Sequence, residues 1–383
     1  MEQGERPRVV VIGAGIVGSA VAMHLAERGL RPVLVDGDRA GRGASARSFA
    51  SLSAFGKDPV GYYELACASL ASWSGWAARL GEVGFRRGGQ LRWAADPREG
   101  LQLAAQVERA RARGYPISPV DGAGLRRLLP AATPGPVAAA CYAPRDGQVE
   151  PGLVVRACHE ATAAAGGRLL LGTPARVRLD DDGLRVEVGE LLLRPDRVVL
   201  AAGAESVAVA AAVGLDLQVP TLASPGLLVQ TQPLPAFTDK VVYLPGGPGP
   251  AVCLRQRPDG VVLLGERSQE QVAHDPSQRH ARALLAQAAR YLPPLRGARV
   301  ARALLGWRSM PADRLPIVGP VPGLDSLYLA VTHSGVTLAP ILGRLVAEEV
   351  AGGEPAWLLS GFRPGRFAER AAQVVVDVEE VFR

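Results

Sequence analysis

The sequence predicts an α/β protein with a Rossmann-like dinucleotide-binding domain on a parallel sheet and an inserted α+β domain on an antiparallel sheet. Three observations predict this fold. An apolar strand at residues 9–12 runs into a Gly-x-Gly-x-x-Gly turn at residues 13–18. A second fully apolar strand, at residues 198–204, also ends at a glycine turn, as buried parallel strands do. Two blocks, at about 56–145 and 219–305, then interrupt these parallel-sheet segments with short antiparallel strands.

The first strand, turn and helix are typical of a dinucleotide site. Gly13 permits the tight turn, Gly15 lets the backbone approach a pyrophosphate, and Gly18 lets the helix pack on the strand. The helix N-terminus offers N–H groups and a positive dipole end to phosphates. The next strand ends at Asp36, whose carboxylate can accept ribose hydroxyls. This motif alone leaves open whether the dinucleotide is FAD or NAD.

The remaining elements follow from periodicity and turn residues. A small, polar loop at residues 41–51 is typical of a segment that runs along a ligand, and Asp181-Asp182-Gly183 predicts a hairpin turn. The sequence predicts helices at about 58–80, 99–113, 153–165, 276–291 and from Gly335 to Val350. It predicts further strands at 169–171, 175–179, 227–229, 241–243, 251–254, 261–264 and 327–331. The predicted domains are a discontinuous nucleotide-binding domain of residues 1–55, 146–218 and 306–365, a substrate domain of residues 56–145 and 219–305, and a C-terminal helix at 366–383.

Composition excludes several classes of protein. The net charge of +6 comes from arginines spread along the chain, with only two lysines and no block of five like charges, so no nucleic-acid partner is indicated. The four cysteines lack Cys-x-x-Cys spacing and form no His/Cys cluster, which predicts free thiols in the cytoplasm and no metal site. The apolar run at residues 9–26 is broken by three glycines, so we expect no transmembrane segment.

Several later blocks carry a resemblance to a known family. Residues 306–308 read Gly-Trp-Arg, residues 313–320 read Asp-Arg-Leu-Pro-Ile-Val-Gly-Pro, and a Thr-His-Ser-Gly-Val-Thr turn follows at 332–337. Together with residues 146–151, 198–206, 259–266 and 343–348, they resemble the D-amino-acid oxidase superfamily of FAD-dependent amine oxidoreductases, which includes glycine oxidase, sarcosine oxidase and D-hydroxyproline dehydrogenase. The likeness spans nearly the whole chain, with its blocks in the family's order.

The resemblance implies non-covalent FAD, because no cysteine lies near the turn at 332–337. In this family the N–H groups of that turn and the helix that follows face the flavin pyrimidine, where negative charge collects as hydride reaches N5. By matching position, the resemblance assigns these residues to the cofactor: Gly13, Gly15, Ile16, Val17, Gly18, Asp36, Gly37, Ala44, Ser45, Phe49, Ala50, Ser51, Val177, Ala202, Gly203, His333, Ser334, Gly335, Val336 and Thr337.

The resemblance also assigns substrate-binding residues. Arg308 stands where the family has an arginine whose planar guanidinium binds the substrate carboxylate; the alternative is a structural pair with Asp313. Cys253 stands where glycine oxidase has a carboxylate-holding tyrosine, and Arg255 is a further candidate. His333 is a candidate catalytic base, with a turn histidine that donates to backbone as the alternative.

Besides Cys253, four positions depart from the family pattern. Ser48 stands where an asparagine is common, Asp36 where a glutamate is common, and Ser309 where the family has proline. Leu263 stands where monomeric sarcosine oxidase has a lysine that activates oxygen. Glycine oxidase also lacks this lysine, so its absence only leans toward a dehydrogenase.

The implied function is oxidation of the C–N bond of an amino acid or secondary amine, by hydride transfer from the α-carbon to flavin N5. The imine product then hydrolyses, and oxygen or another acceptor reoxidises the flavin. One alternative is a non-catalytic or electron-transferring flavin subunit of a multicomponent dehydrogenase. Another is an NAD-dependent dehydrogenase, which leaves residues 198–206 and 306–348 unexplained. The sequence leaves the substrate, the electron acceptor and an oligomeric or heteromeric assembly open.

Overall fold

A computed structural model describes residues 8–38, 43–211, 221–246, 251–266 and 277–367. The chain divides into two compact units. Unit 1 comprises Met1–Ala46, Pro151–Ala223 and Arg308–Arg383, and unit 2 comprises Arg47–Glu150 and Ser224–Trp307. Each unit is therefore built from segments that are far apart in the sequence.

The described residues form strands and helices with the following bounds. The strands are β1 Val9–Ile12, β2 Val33–Asp36, β3 Ser51–Leu52, β4 Gln90–Ala94, β5 Ser118–Pro119, β6 Ala139–Ala143, β7 Gly147–Gln148, β8 Arg168–Leu171, β9 Ala175–Asp180, β10 Gly183–Val188, β11 Leu191–Leu193, β12 Arg197–Leu200, β13 Thr221–Thr231, β14 Val241–Tyr243, β15 Val252–Gln256, β16 Val262–Glu266, β17 Val300–Pro311, β18 Ile317–Val321 and β19 Leu324–Val331. The α-helices are α1 Ile16–Glu27, α2 Val60–Leu80, α3 Pro97–Ala112, α4 Gly122–Leu128, α5 Pro151–Ala164, α6 Ser206–Ala211, α7 Gln278–Tyr291 and α8 Gly335–Val350. Short 3-10 helices span Gly203–Glu205, Pro293–Leu295 and Trp357–Phe362.

Unit 1 is built around a six-stranded sheet with the order β18-β19-β12-β1-β2-β8. The neighbours from β19 to β8 pair in parallel, and only β18 is antiparallel. The four side chains of β1 are all buried, as expected for a parallel strand covered on both faces. A separate three-stranded antiparallel sheet, β11-β10-β9, contributes to the same apolar core. The predicted Rossmann-like parallel sheet is thus confirmed.

Helices α1 and α8 of unit 1 approach each other closely at one glycine. A Cβ atom on Gly343 of α8 would lie 2.7 Å from Cβ of Ala20 and 2.9 Å from Cδ2 of His24, both in α1. No side chain fits at this crossing without a shift of its neighbours. The close contact fixes how the two helices lie against each other on the sheet.

Unit 2 contains an eight-stranded sheet with the order β17-β13-β16-β15-β14-β4-β6-β5. Its recorded pairs are antiparallel except for β14 with β4, which is parallel. One face of the sheet is apolar and packs against leucines of α4 and α7. The predicted antiparallel sheet of the inserted domain is confirmed.

The boundaries of the units differ from the predicted domain boundaries. Residues 47–55 and 146–150, predicted in the nucleotide-binding domain, belong to unit 2. The physical reason is that β3 pairs with β7, so these two segments hold each other through backbone hydrogen bonds. Of the predicted C-terminal helix, residues 368–383 lie outside the described residues. None of the described helices is long and apolar enough to cross a membrane.

Candidate functional site

The glycine turn after β1 has the shape that a dinucleotide needs. Gly13 has φ of +105°, and a Cβ atom there would lie 2.5 Å from the carbonyl oxygen of Ala201. A Cβ atom on Gly18 would overlap the carbonyl oxygen of Gly13. Gly15 is different, because its nearest neighbour outside the turn is Oγ of Ser45 at 3.4 Å. Gly13 and Gly18 are therefore required by the fold, whereas Gly15 leaves its surface open to a ligand.

The N-terminus of α1 is suited to bind a phosphate. Its N-cap residue is Gly15, which has no side chain to cap the helix. The N–H of Ile16 donates to Oγ of Ser45 at 3.0 Å, which holds the loop of Ala44 and Ser45 against the turn. The uncapped N–H groups of the first turn, beginning at Val17, carry the positive end of the helix dipole.

Asp36 is oriented by the backbone at the end of β2. Its Oδ2 accepts a hydrogen bond from the N–H of Ala14 at 2.6 Å, and its Oδ1 accepts one from the N–H of Asp38 at 2.9 Å. Each carboxylate oxygen has a second acceptor position, which a ribose hydroxyl can use. A Cβ atom on Gly37, the next residue, would lie 3.1 Å from Cα of Pro174. The turn, the uncapped helix and the oriented carboxylate together fit the ADP half of FAD.

A second helix N-terminus lies next to the first. Strand β19 ends at Val331, and α8 begins four residues later at Gly335 with no side-chain cap. A Cβ atom on Gly335 would lie 3.2 Å from Cγ2 of Val17, so α1 and α8 begin side by side. Oγ1 of Thr332 is buried there without a hydrogen-bond partner among the described residues. Two helix dipoles and a buried hydroxyl thus meet at one edge of the sheet.

The other predicted cofactor residues of unit 1 lie at the strand ends or in the core. Ala202 and Gly203 follow β12, and Gly203 has φ of +60°. Val336 and Thr337 are buried in the first turn of α8, whereas the side chain of His333 is exposed. Val177 lies in β9 with its side chain in the apolar core, and its predicted contact with adenine stays a prediction.

Arg308 is half-buried near the C-terminal end of β17. Asp313, its alternative structural partner, also binds a second arginine, and the alternative pair of Arg308 with Asp313 stays open. The guanidinium of Arg366 donates to both oxygens of Asp313, at 2.8 and 3.1 Å. Beside Arg308, Ser309 replaces the family's proline, and its buried Oγ has no hydrogen-bond partner within the described ranges. The substrate role of Arg308 stays a prediction.

Unit 2 contains Phe49, Ala50, Ser51 and Cys253. A Cβ atom on Gly265 would lie 3.4 Å from Cδ2 of the Phe49 ring, so this ring lies close to the backbone of Gly265. Sγ of Cys253 donates to the carbonyl of Gly265 at 3.4 Å. Ala50 adopts the left-handed conformation with φ of +58°, which alanine rarely does and which is often found at functional sites.

Arg255 has a structural position in unit 2. Its side chain is 1% exposed, and its Nη1 donates to Oε1 of Glu150 at 2.6 Å. Its Nε donates to the carbonyl oxygen of Phe49 at 2.6 Å. The described contacts assign Arg255 to this buried ion pair, and its predicted contact with a substrate stays a prediction.

Sequence reasoning missed a buried polar cluster in unit 2. Oδ1 of Asp146 accepts a hydrogen bond from the hydroxyl of Tyr115, and Oδ2 accepts one from Oγ of Ser53 at 2.7 Å. Burial raises the pKa of Asp146 to about 6, although both hydroxyls and the charge of Arg92 oppose this shift. Asp146 begins an Asp-Gly pair, so its sequence context indicated only a turn.

Comparison with known proteins agrees with this geometry. A model described as DAO, FAD dependent oxidoreductase, matches residues 8–349, and the chain belongs to that family. The chain is therefore an enzyme that uses FAD, and the fit of the glycine turn, the first turn of α1 and Asp36 supports the same cofactor.

Individual relatives match along nearly their whole length. Glycine oxidase from Pseudomonas aeruginosa is 31% identical over 376 residues, covering 91% of this chain and 96% of the relative. A subunit of opine oxidase from Agrobacterium tumefaciens is 28% identical over 382 residues, covering 95% of this chain and 98% of the relative. The crystal structure of glycine oxidase from Geobacillus kaustophilus superposes with a TM-score of 0.84 at 26% identity, covering 94% of this chain and 98% of that structure.

Proposed function

We propose that this FAD-dependent enzyme oxidises the C–N bond of an amino acid or a secondary amine that carries a carboxylate. The observation that carries the proposal is the pair of uncapped helix N-termini of α1 and α8, which begin side by side in unit 1. The first suits a pyrophosphate, and the second suits the negative charge that develops on a reduced flavin. The relatives named glycine oxidase and opine oxidase support an amine substrate.

The proposed roles of the protein residues follow from their chemistry. Bound FAD supplies the acceptor for two electrons. Arg308 binds and orients the substrate carboxylate, because a planar guanidinium can donate two parallel hydrogen bonds to it. The α-carbon and nitrogen lose two electrons and two protons in forming a C=N bond, and water then hydrolyses the imine. His333 is proposed to contact the cofactor through its turn and to accept the amine proton, and its exposed side chain can exchange that proton with solvent.

The test is anaerobic mixing of the purified holoenzyme with glycine, sarcosine, D-amino acids and proline derivatives. Oxidised flavin absorbs in the visible range, and a substrate is expected to bleach this band. If every compound leaves the band unchanged, oxidation of simple amino acids and amines by this chain is wrong. Repeating the reaction in air measures whether oxygen reoxidises the flavin. Leu263 lies buried in β16, and the absence of a lysine there supports slow reoxidation by oxygen.

A second candidate is a catalytic subunit of a heteromeric dehydrogenase. Two relatives are named as subunits of opine oxidase and match over nearly their full length, with 98% of one and 99% of the other covered. In that case substrate would bleach the flavin of the isolated chain, while steady turnover would need a partner or an added dye acceptor. Turnover of the isolated chain with oxygen at the rate of flavin reduction would contradict this candidate. A cytoplasmic location stays a prediction, and all four cysteines are free thiols.

A further inference from the structure

The second face of the large sheet in unit 2 carries a row of polar and small residues. The recorded register joins Cys141 of β6 to Arg92 of β4, Arg92 to Tyr243 of β14, Tyr243 to Cys253 of β15, and Cys253 to Gly265 of β16. Residues in register on neighbouring strands project from the same face. Their neighbours along each strand, including Leu91, Val242 and Leu254, belong to the apolar core on the opposite face. Arg92 is thus the charged member of a row that also contains the predicted substrate position Cys253.

Arg92 is held by aromatic rings and not by a carboxylate. Its guanidinium carbon lies 3.9 Å from the ring centre of Tyr243 and 4.9 Å from that of Phe55. Its Nε is buried and makes no hydrogen bond, and the guanidinium forms no ion pair with any carboxylate in the described part of the chain. Ring stacking stabilises a guanidinium and fixes its plane, but it leaves the N–H groups at the edge of that plane available.

Asp146, the nearby acid, does not form a direct ion pair with the guanidinium of Arg92. Asp146 interacts electrostatically with Arg92, but its two oxygens accept hydrogen bonds from Tyr115 and Ser53. Arg255, in the same unit, shows the contrasting arrangement, since its buried guanidinium donates directly to Glu150. A half-buried arginine without such a partner has a charge that a bound anion can match.

We propose that Arg92 binds a carboxylate of the substrate other than the one on the carbon that is oxidised, so that the enzyme prefers amines with two carboxylates. This inference rests on the proposed function. The two rings orient the fork of the guanidinium, and a planar carboxylate can receive two parallel hydrogen bonds from it. A purely structural arginine would give no preference between substrates with one and two carboxylates.

The experiment compares iminodiacetate with sarcosine, two secondary amines that differ by one carboxylate. Anaerobic flavin reduction is measured for the wild-type holoenzyme, for Arg92→Met and for Arg98→Met, which removes an exposed arginine of the same unit. Wild type is expected to prefer iminodiacetate in kcat/KM. Arg92→Met is expected to lose roughly 10- to 100-fold with iminodiacetate and about 3-fold or less with sarcosine, as for a charge-assisted hydrogen bond. Arg98→Met is expected to behave like wild type.

Equal losses on both compounds, or no loss on either, would overturn the inference and leave the proposed function standing. If Arg92→Met does not retain FAD, Arg92→Lys, which keeps the charge but lacks the planar fork, is expected to lower the preference for iminodiacetate. Glutarate and butyrate are unreactive ligands, and their binding can be measured from the shift that they cause in the flavin spectrum. This readout does not need turnover. Glutarate that binds no more tightly than butyrate to wild type would contradict the role of Arg92 even if no amine reduced the flavin.

Discussion

At the scale of single residues, the surroundings of each arginine distinguish their roles better than residue type does. Arg255 is enclosed with Glu150, Arg366 engages Asp313, and Arg92 is stacked on rings. Each arrangement satisfies the guanidinium differently, because burial without a carboxylate requires another source of stabilisation. Arg308 is half-buried, and its carboxylate-binding role can be tested directly.

Replacing Arg308 with lysine should reduce kcat/KM for a carboxylated amine by roughly 10- to 100-fold, because lysine keeps the charge but loses the bidentate fork. Flavin content should stay unchanged. The matched control is Arg302→Lys, an exposed position in the same strand β17. Stopped-flow flavin reduction provides the measurement, and equal rates for the two variants would contradict the proposed role.

Asp146 should make the stability of the protein depend on pH. Burial raises its pKa from 3.8 to about 6, so between these values the folded protein keeps a proton that the unfolded chain has lost. Rising pH therefore destabilises the fold through this group, by about 3 kcal/mol in total. Asp146→Asn should lack this change and gain stability relative to wild type from pH 4 to pH 6. Urea unfolding of both proteins across this range tests the sign, and parallel pH profiles would contradict it.

At the scale of elements, two glycine contacts define how α1 is held in unit 1. Gly18 lets the helix pack on the turn below it, and Gly343 lets α8 cross close to it. These contacts bring the N-termini of both helices to the same edge of the parallel sheet. The proposed binding of FAD thus depends on helix packing as much as on the residues that would contact it.

Gly343→Ala should lower the melting temperature by several degrees, because the added methyl would lie 2.7 Å from Cβ of Ala20 and overpacking costs about 1–3 kcal/mol. Gly75→Ala in α2 is the matched control, since a Cβ atom there has no neighbour within 4 Å. Alanine favours a helix by about 1 kcal/mol over glycine, so the control should be neutral or stabilised. Thermal unfolding measures both variants, and a control that loses as much as Gly343→Ala would count against the packing argument.

At the scale of the whole molecule, the FAD-dependent oxidoreductase family predicted from motifs is confirmed by the match over residues 8–349. The curated relatives extend this similarity over nearly the full chain. The fold class is confirmed as well, by the parallel sheet of unit 1 and the antiparallel sheet of unit 2. The substrate and the electron acceptor remain proposals.

FAD should stabilise the apoprotein more than riboflavin does, because the described contacts of unit 1 suit the pyrophosphate and ribose of the ADP half. A ligand at one hundred times its Kd adds about 2.7 kcal/mol to the stability of the folded state. Differential scanning fluorimetry of apoprotein with FAD, riboflavin or ADP gives the comparison. FAD and ADP should each raise the melting temperature. A rise with riboflavin equal to that with FAD would contradict the assignment of the glycine turn.

The sequence identified the parts of the site that local chemistry defines. The glycine turn, Asp36 and the turn at 332–337 are contiguous motifs with a known physical function, so they could be found without a structure. The roles of Arg92 and Asp146 could not be found in this way. The ring stacking of Arg92 and the raised pKa of Asp146 both depend on residues from other strands or loops. Their neighbours Phe55, Tyr243 and Tyr115 lie between 31 and 151 positions away in the sequence.

By itself, the sequence determined the fold class and a dinucleotide site, since strand periodicity and glycine positions are imposed by backbone geometry. The resemblance of its later blocks to a known family implied that this dinucleotide is FAD. Only the tertiary structure decided which arginine is buried with a carboxylate and which is stacked on rings. It also brought the starts of α1 and α8 together from positions more than three hundred residues apart in the sequence. The physical reason is that burial and pairing are properties of the packed chain, and side chains that are distant in sequence create them together.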